Sequence, residues 1–370
     1  MTAHADAVTA SPAPLPSTLA VRPHHPLLSR GTDAVQLGLG YREAVEAVEV
    51  SAPLLAVLRR LVAHGQAQVA DLVELAVSRG GREADVHTLL TELYEVGALL
   101  DAVKVKRFRA ARRGASVLVD GAGPLAAGVA AALASDGVGT LHLRTGGVVS
   151  ADDIGPFDAA QRGRPRADSV CAAVHRVAPK AKVVQSGRWS RPDLAVLTDA
   201  LRPDVSRHDE LFAEGVPQLI VRVADGLGLV GPLVLPRRTA CLRCLDLHRL
   251  GLDPAWPTAA VQLRDRVGSA NPTTLAATIA LAAEQALLAL DSLVSPGAPP
   301  PTLDAMLELD LRAGRLHQRH WPPHPGCECG AAHIAGARPA QGGAAGRRDA
   351  TPGEPSGSPP PAACAIEARR

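Results

Sequence analysis

The sequence predicts an α/β protein in which a Rossmann-like domain follows a small winged-helix-like domain. Three observations predict it. A short apolar strand, Ser116-Val-Leu-Val119, runs through the glycine turn Asp120-Gly121-Ala122-Gly123 into an alanine-rich helix. Ahead of it, three stretches carry apolar residues at helical spacing. Behind it, Cys241-Leu-Arg-Cys244 and Cys327-Glu-Cys329 are spaced so that each pair meets one ion, and four thiolates make a closed, structural four-cysteine zinc (Zn2+) site.

A chain of 370 residues is long enough for two domains at roughly 100–200 residues each. Its 46% hydrophobic and 21% charged content is that of a globular protein. Aromatic residues make up 2%, too few for a base-stacking platform, and a net charge of +2 points to no polyanion. Nucleic acid is therefore not an expected partner. The basic residues are mostly Arg, with lysine at 104, 106, 180 and 182. The N-terminus has no basic segment followed by an apolar one, so no signal peptide is expected and a cytoplasmic location follows. The apolar stretch Leu275–Leu290 is too short to span a bilayer and reads as a buried helix, so no membrane is expected either.

Residues 1–25 and 336–370 are rich in small residues and proline without periodicity, and are expected to be disordered. The module at 26–105 opens on an alternating run, Val35 to Leu39. Helical faces follow at Leu54/Leu55/Leu58/Leu61, at Val69/Leu72/Val73/Ala76 and at Val86/Leu89/Leu90/Leu93/Val96, before a strand over Ala98–Val103. Six of the ten residues 104–113 are basic. DNA contact is one reading, but Glu83, Asp85, Glu92 and Glu95 on the third helix would repel phosphates, so 106–113 reads as a solvated linker.

The Rossmann-like domain spans 114–335. Gly121 and Gly123 leave room for a phosphate at the helix start, and Ala126 is a tolerated third position. The second strand follows at Gly137–Leu143. Where it ends, an acid usually holds the ribose; here Arg144 stands, either solvated or facing a 2′-phosphate as in NADP enzymes. His248 and His324 lie near the cysteine pairs but read as surface residues. Cys171 reads as a packing residue of a helix, and Cys364 lies in the tail.

Taken in order, the Gly loop, Gly137–Leu143, Gly163-Arg-Pro-Arg166-Ala, Leu197-Thr-Asp199 and the CxxC after Gly231-Pro-Leu-Val-Leu235 resemble the ubiquitin-activating-enzyme-like superfamily of ThiF/MoeB-type proteins over roughly 114–330. The N-terminal block and the end segment, Leu307–His317 to Trp321–Gly330, are similar to actinobacterial cyclodehydratase-associated proteins. In these, a PqqD-like module grips a leader peptide by strand addition for an azole-forming YcaO partner. Val35–Leu39 or Leu99–Val103 would offer the edge. The resemblance implies a ThiF-type fold, a peptide or small-protein substrate, Mg-ATP at Gly121, Gly123, Ala126, Arg144, Arg166 and Asp199, and a homodimer. Arg166 and Asp199 are the candidate catalytic residues, matching the family's phosphate-contacting Lys and magnesium-associated Asp.

Departures from that pattern favour a degenerate, non-adenylating leader-peptide-binding protein. The acid after the second strand is replaced by Thr145-Gly146-Gly147. The family's Asn and Arg fall at Asp153 and Pro156, and its loop glycines at Pro124 and Ala126. Proline removes an amide donor from the phosphate cradle. An active adenylyltransferase of the ubiquitin-like-modifier-activating type is the alternative, and a nucleotide-dependent oxidoreductase the second alternative.

Overall fold

The structure, a computed structural model, describes residues 14–31, 34–40, 44–150, 153, 157–185, 191–264, 266–295 and 297–336. The expected disorder of 1–13 and 337–370, with Cys364, and the comparison at Pro156 lie outside them. The chain forms two compact units that divide between Arg107 and Phe108.

The first unit contains strands β1 (Thr18–Val21), β2 (Leu27–Ser29), β3 (Val35–Leu37) and β4 (Val45–Ala47), then α1 (Ala52–His64), β5 (Gln66–Gln68), α2 (Val69–Val77), α3 (Glu83–Glu95) and β6 (Leu99–Asp101). Leu58, Leu61, Leu72, Leu90 and Leu93, from the three expected helical faces, meet in one core with Leu19 and Leu99. Two antiparallel sheets flank them, in the orders β5-β1-β6 and β2-β3-β4. Three expectations are corrected here. Residues Thr18–Val21, placed in a disordered segment, form the central strand of the first sheet. β3 is also central, so Val35–Leu37 offers no free edge, whereas β6 lies at an edge. Finally, the strand expected to reach Val103 stops at Asp101, whose carboxylate accepts from the amides of Val103 (2.8 Å) and Lys104 (3.2 Å) and starts a helix.

That helix, α4 (Ala102–Gly114), contains the whole basic run, so 106–113 is helical, and the division between the two units falls within it. Its last turn is anchored, with Arg112 donating to both oxygens of Asp291 at 2.9 and 2.6 Å.

The second unit alternates strands and helices: β7 (Ser116–Asp120), α5 (Pro124–Ser135), β8 (Thr140–Arg144), α6 (Arg166–Val177), β9 (Lys182–Gln185), β10 (Leu194–Thr198), α7 (Val205–Ala213), β11 (Gln218–Ala224) and β12 (Leu227–Val234). Then come α8 (Leu242–Leu252), α9 (Trp256–Gln262), α10 (Pro272–Val294), β13 (Ala305–Asp310), β14 (Arg315–His320) and α11 (Ala331–Gly336). The eight strands make one sheet in the order β14-β13-β12-β11-β10-β7-β8-β9. β11, β10, β7, β8 and β9 run parallel, and the other three add antiparallel. The parallel strands β7 and β10 are buried on both faces, which is why they read as continuous apolar runs.

α5 and α10 pack together over the sheet. Gly128 permits it, because a Cβ there would stand 2.8 Å from Cγ1 of Ile279. α10 is longer than the apolar stretch read from the sequence and, by length and composition, reaches what a membrane span requires. In the fold it is a core helix: Leu275, Ala282, Ala286, Leu287 and Leu290 join β7 and β11 residues in the main core.

Candidate functional site

The parallel order reverses between β7 and β10, and at such a switch point α/β sheets hold their ligands. A cavity of about 490 Å³ opens there, beside Gly121, Thr145, Thr198 and Pro203. It is strongly ionic, lined by Arg144, Arg207 and Arg266 against Asp120 and Asp204. Arg207, on α7, places Nε 3.1 Å from Asp120 Oδ2, and Arg144 Nε stands 4.0 Å from the same oxygen. Arg207 Nη2 is buried without a hydrogen-bond acceptor among the described residues.

Burial pushes the Asp120 carboxyl up to about 6, against the pull of Arg144 and with the repulsion of Asp204 and Glu210. An acid whose folded value lies above its unfolded value binds the extra proton in the native state. Its contribution to stability therefore falls as pH rises from about 4 to about 6. Asp120→Asn is expected to flatten that slope. Urea denaturation across pH 4–8 checks it.

Next to this cavity, the phosphate cradle is already filled. Asp199 follows β10 in the left-handed region, with φ +71°, and is 1% exposed. Its carboxylate lies on the N-terminus of α5, Oδ1 accepting from Leu125 N at 2.9 Å and Oδ2 from Ala126 N at 3.2 Å. Thr198 Oγ1 donates to Oδ2 at 2.7 Å. Burial pushes the carboxyl above its ordinary range, while these donors pull it back. The loop glycines serve this contact: a Cβ on Gly121 would stand 2.6 Å from Asp199 Oδ2, and one on Gly123 2.7 Å from Asp199 Cγ. The helix start that usually meets a phosphate thus meets the chain's own carboxylate.

Among the sequence candidates, Gly121 and Arg144 line the cavity, whereas Gly123, Ala126, Arg166 and Asp199 do not. Arg166 begins α6 and is 7% exposed. Its fork is engaged internally by Asp153 Oδ1 (2.6 Å), Gly146 O (3.2 Å) and Val148 O (2.8 Å). The guanidinium that should face a triphosphate instead pins the segment after β8. These residues do not fit Mg-ATP: Pro124 has no amide to donate, Asp199 holds the amides of Leu125 and Ala126, and no acid follows β8 at the ribose position. Asp120, Arg207 and Arg266 were not among the candidates. Asp120 directly precedes the Gly loop, but nothing local in the sequence directs Arg207 and Arg266 into the cavity.

The four cysteines converge elsewhere in the unit. Cys241 is the N-cap residue of α8 and Cys244 lies in its first turn, while Cys327 and Cys329 come from the segment after β14. Cys241 Sγ is 3.8 Å from Cys244 Sγ and 3.7 Å from Cys327 Sγ, and Cys244 Sγ is 3.6 Å from Cys329 Sγ. All four ligand atoms lie within 4.8 Å of one another. Zn–S bonds of about 2.3 Å in a tetrahedron place sulfurs about 3.8 Å apart, so the donor set fits zinc in number, type and spacing. The hydrogen bond Cys241 donates to Cys244, together with burial, pushes the Cys241 thiol up, and burial pushes Cys329 up to about 11. A bound dication favours the thiolates instead.

His248 and His324 are half-buried beside the cysteines, and their hydrogen bonds are exposed. Their rings pack 4.8 Å apart, and His248 Nε2 is 2.8 Å from Pro322 O. Cys171 is half-buried on α6, with Sγ 3.8 Å from His175 Nδ1.

No family model matches the chain, and no curated protein does. Solved structures do. The structure of E. coli MccB with ATP matches with a TM-score of 0.62 at 13% identity, covering 84% of this chain and 99% of that one. The microcin C7 biosynthetic enzyme MccB in complex with N-formylated MccA gives 0.63 at 13%, over 85% and 99%. PaaA gives 0.54 at 14%, over 80% and 98%. At these identities the likeness is one of fold, and the chain shares the fold of MccB and PaaA.

Proposed function

We propose that this chain is a degenerate ThiF/MoeB-type protein that binds a leader peptide and presents it to a partner enzyme, of the YcaO cyclodehydratase class, in peptide modification. The observation that carries the non-adenylating part is the Asp199 carboxylate on the α5 amides. Adenylation needs those amides and a cation at the family's phosphate-contacting position, and here the amides hold Asp199 and Arg166, at that position, is engaged within the fold. Peptide handling is supported by the fold shared with MccB, which has been solved with MccA. In this reading the first unit is the winged-helix, PqqD-like gripping module, and the chain pairs as a homodimer. Zinc on Cys241, Cys244, Cys327 and Cys329 is structural.

The test is calorimetry of the full zinc-loaded chain with Mg-ATP, followed by pyrophosphate exchange with peptides bearing a free C-terminal carboxylate. No exchange is expected. The second reading, an active adenylyltransferase, is favoured by the 490 Å³ cavity beside the Gly loop and by the fold of MccB solved with ATP. Exchange above background would establish it in place of the first.

Strand addition has its own test. β6 has an edge free of β1, and Leu100 pairs with Ala20 on the other side. Leu99, next to that pair, turns its N–H to the free edge, so Leu99→Pro removes a backbone donor there and is expected to weaken binding of labelled candidate leader peptides at least about tenfold. Fluorescence anisotropy measures this, with circular dichroism confirming retained helix content. Unchanged affinity would move the peptide off β6.

A further inference from the structure

A second cavity, of about 350 Å³, lies on the antiparallel side of the sheet, away from the Gly loop. Its floor holds Arg222 of β11, which is 6% exposed. Strand alternation turns Val221 and Val223 into the α10 core and leaves Arg222 on the other face, among Leu229, Met306 and Trp321. Its one hydrogen bond among the described residues goes to a weak acceptor, Met306 Sδ, at 3.9 Å. No described carboxylate stands within ion-pair distance of it.

The nearby acids are taken. Glu308 accepts both donors of Arg319, at 2.6 and 3.2 Å. Asp246 accepts from Arg202 (2.8 Å) and Trp256 Nε1 (3.0 Å), and Asp253 from the amide of Ala255 (2.9 Å). Burial, followed by repulsion from Arg249, pulls Arg222 down to about 10. A second donor is also unmet: Trp321 lines the cavity, and its buried Nε1–H has no acceptor among the described residues. Arg249, stacked 4.7 Å from the Trp256 ring centroid and 5.7 Å from that of Trp321, is a further cation in the wall.

A buried, unpaired guanidinium destabilises a fold unless an anion compensates it. Its planar fork matches a carboxylate bidentately, and the indoles, Leu229, Leu252 and Met306 suit a small apolar body. We propose that this cavity is a carboxylate-binding site, with Arg222 as the anchor, for a peptide carboxylate carried next to a short apolar group. The volume admits about one residue. The site goes beyond the leader-binding reading and stands if that reading fails, since single amino-acid derivatives suffice to occupy it.

The experiment uses the full zinc-loaded chain with Trp189→Phe, leaving Trp256 and Trp321 as the emitting residues. The probes are N-acetyl-leucine for a C-terminal carboxylate, N-acetyl-glutamic acid α-amide for a side-chain carboxylate, N-acetyl-leucinamide as the uncharged control and inorganic phosphate. Fluorescence titration is expected to show at least one carboxylate binding about tenfold or more tighter than the amide; whichever binds identifies the source. Arg222→Met is expected to abolish that preference and, because it removes an unpaired buried charge, to leave the melting temperature unchanged or higher. Equal affinity for acid and amide, no response to either carboxylate, or tighter binding of phosphate would overturn the proposal. So would an Arg222→Met chain that melts earlier and still prefers the carboxylate.

Discussion

Asp199→Gly is expected to unfold earlier than the unsubstituted chain and to recover part of that loss in phosphate or sulfate buffer. The substitution removes the acceptor for Leu125 N, Ala126 N and Thr198 Oγ1 and leaves buried donors unpaired. Each orphaned donor costs about 1–3 kcal/mol. Glycine regains about 1 kcal/mol by relaxing the left-handed φ at this position, and the Thr198 hydroxyl can turn to Asp120 O, so the two amides leave a net loss of about 1–5 kcal/mol. The vacated helix start then becomes an ordinary anion site, and an oxyanion that binds the native state alone raises its stability by mass action. Asp199→Asn, which tolerates the left-handed backbone and nearly fills the space, should lose less and gain nothing from phosphate. If Asp199 instead served a nucleotide-bound magnesium, the glycine variant would bind Mg-ATP more weakly than the unsubstituted chain and show no anion rescue. Melting curves in buffers with and without phosphate, beside calorimetry with Mg-ATP, separate the two directions of effect.

This contrast marks where the sequence stopped being legible. The strand, glycine turn and helix of 116–135 are encoded locally, and so are the three helical faces of the first unit; each could be read from neighbouring residues. The direction of the Asp199 carboxylate is not local. It depends on the pairing of β10 with β7, which brings residues more than seventy positions apart into hydrogen bonding. Arg166 was legible as a cation near the phosphate position, but its engagement by Asp153, Gly146 and Val148 was not. β1 was missed because its surroundings are Pro, Ser and Ala, and its partners lie far along the chain, at Gln66–Gln68 and Leu99–Asp101. The basic helix was missed because it has no apolar stripe, Ala102 being its one fully buried residue among those described. Its cap, Asp101, was visible in the sequence and was read as part of the strand.

Removing zinc should produce a local rather than a global transition, and that difference follows from where the cysteines pack. Cys241, Cys244 and Cys327 belong to a small cluster with Val234, Ala240, Leu245 and Met306, separate from the main core of β7, α5 and α10. Structural zinc contributes about 10–16 kcal/mol of apparent binding energy at neutral pH in small domains. Zinc on these four thiolates would hold α8 against the segment carrying Cys327 and Cys329, while the main core has its own burial to rely on. Cys327→Ser, or chelation of the unsubstituted chain, is therefore expected to reduce metal content from one zinc per chain to near zero. Protease sites should open within 322–336, with most far-UV dichroism retained. Trp321 lies six residues before Cys327 and packs on His248 and Arg249 of α8, so its emission should shift to the red in the same step. The carboxylate cavity shares Trp321 and Arg249 with this knuckle, and its binding should vanish with the zinc, whereas the anion rescue of Asp199→Gly, built on β10 and α5, should survive. Loss of both together would mean that the zinc supports the whole sheet. Loss of the first alone would place its stabilising effect in the antiparallel half, where the cysteines pack.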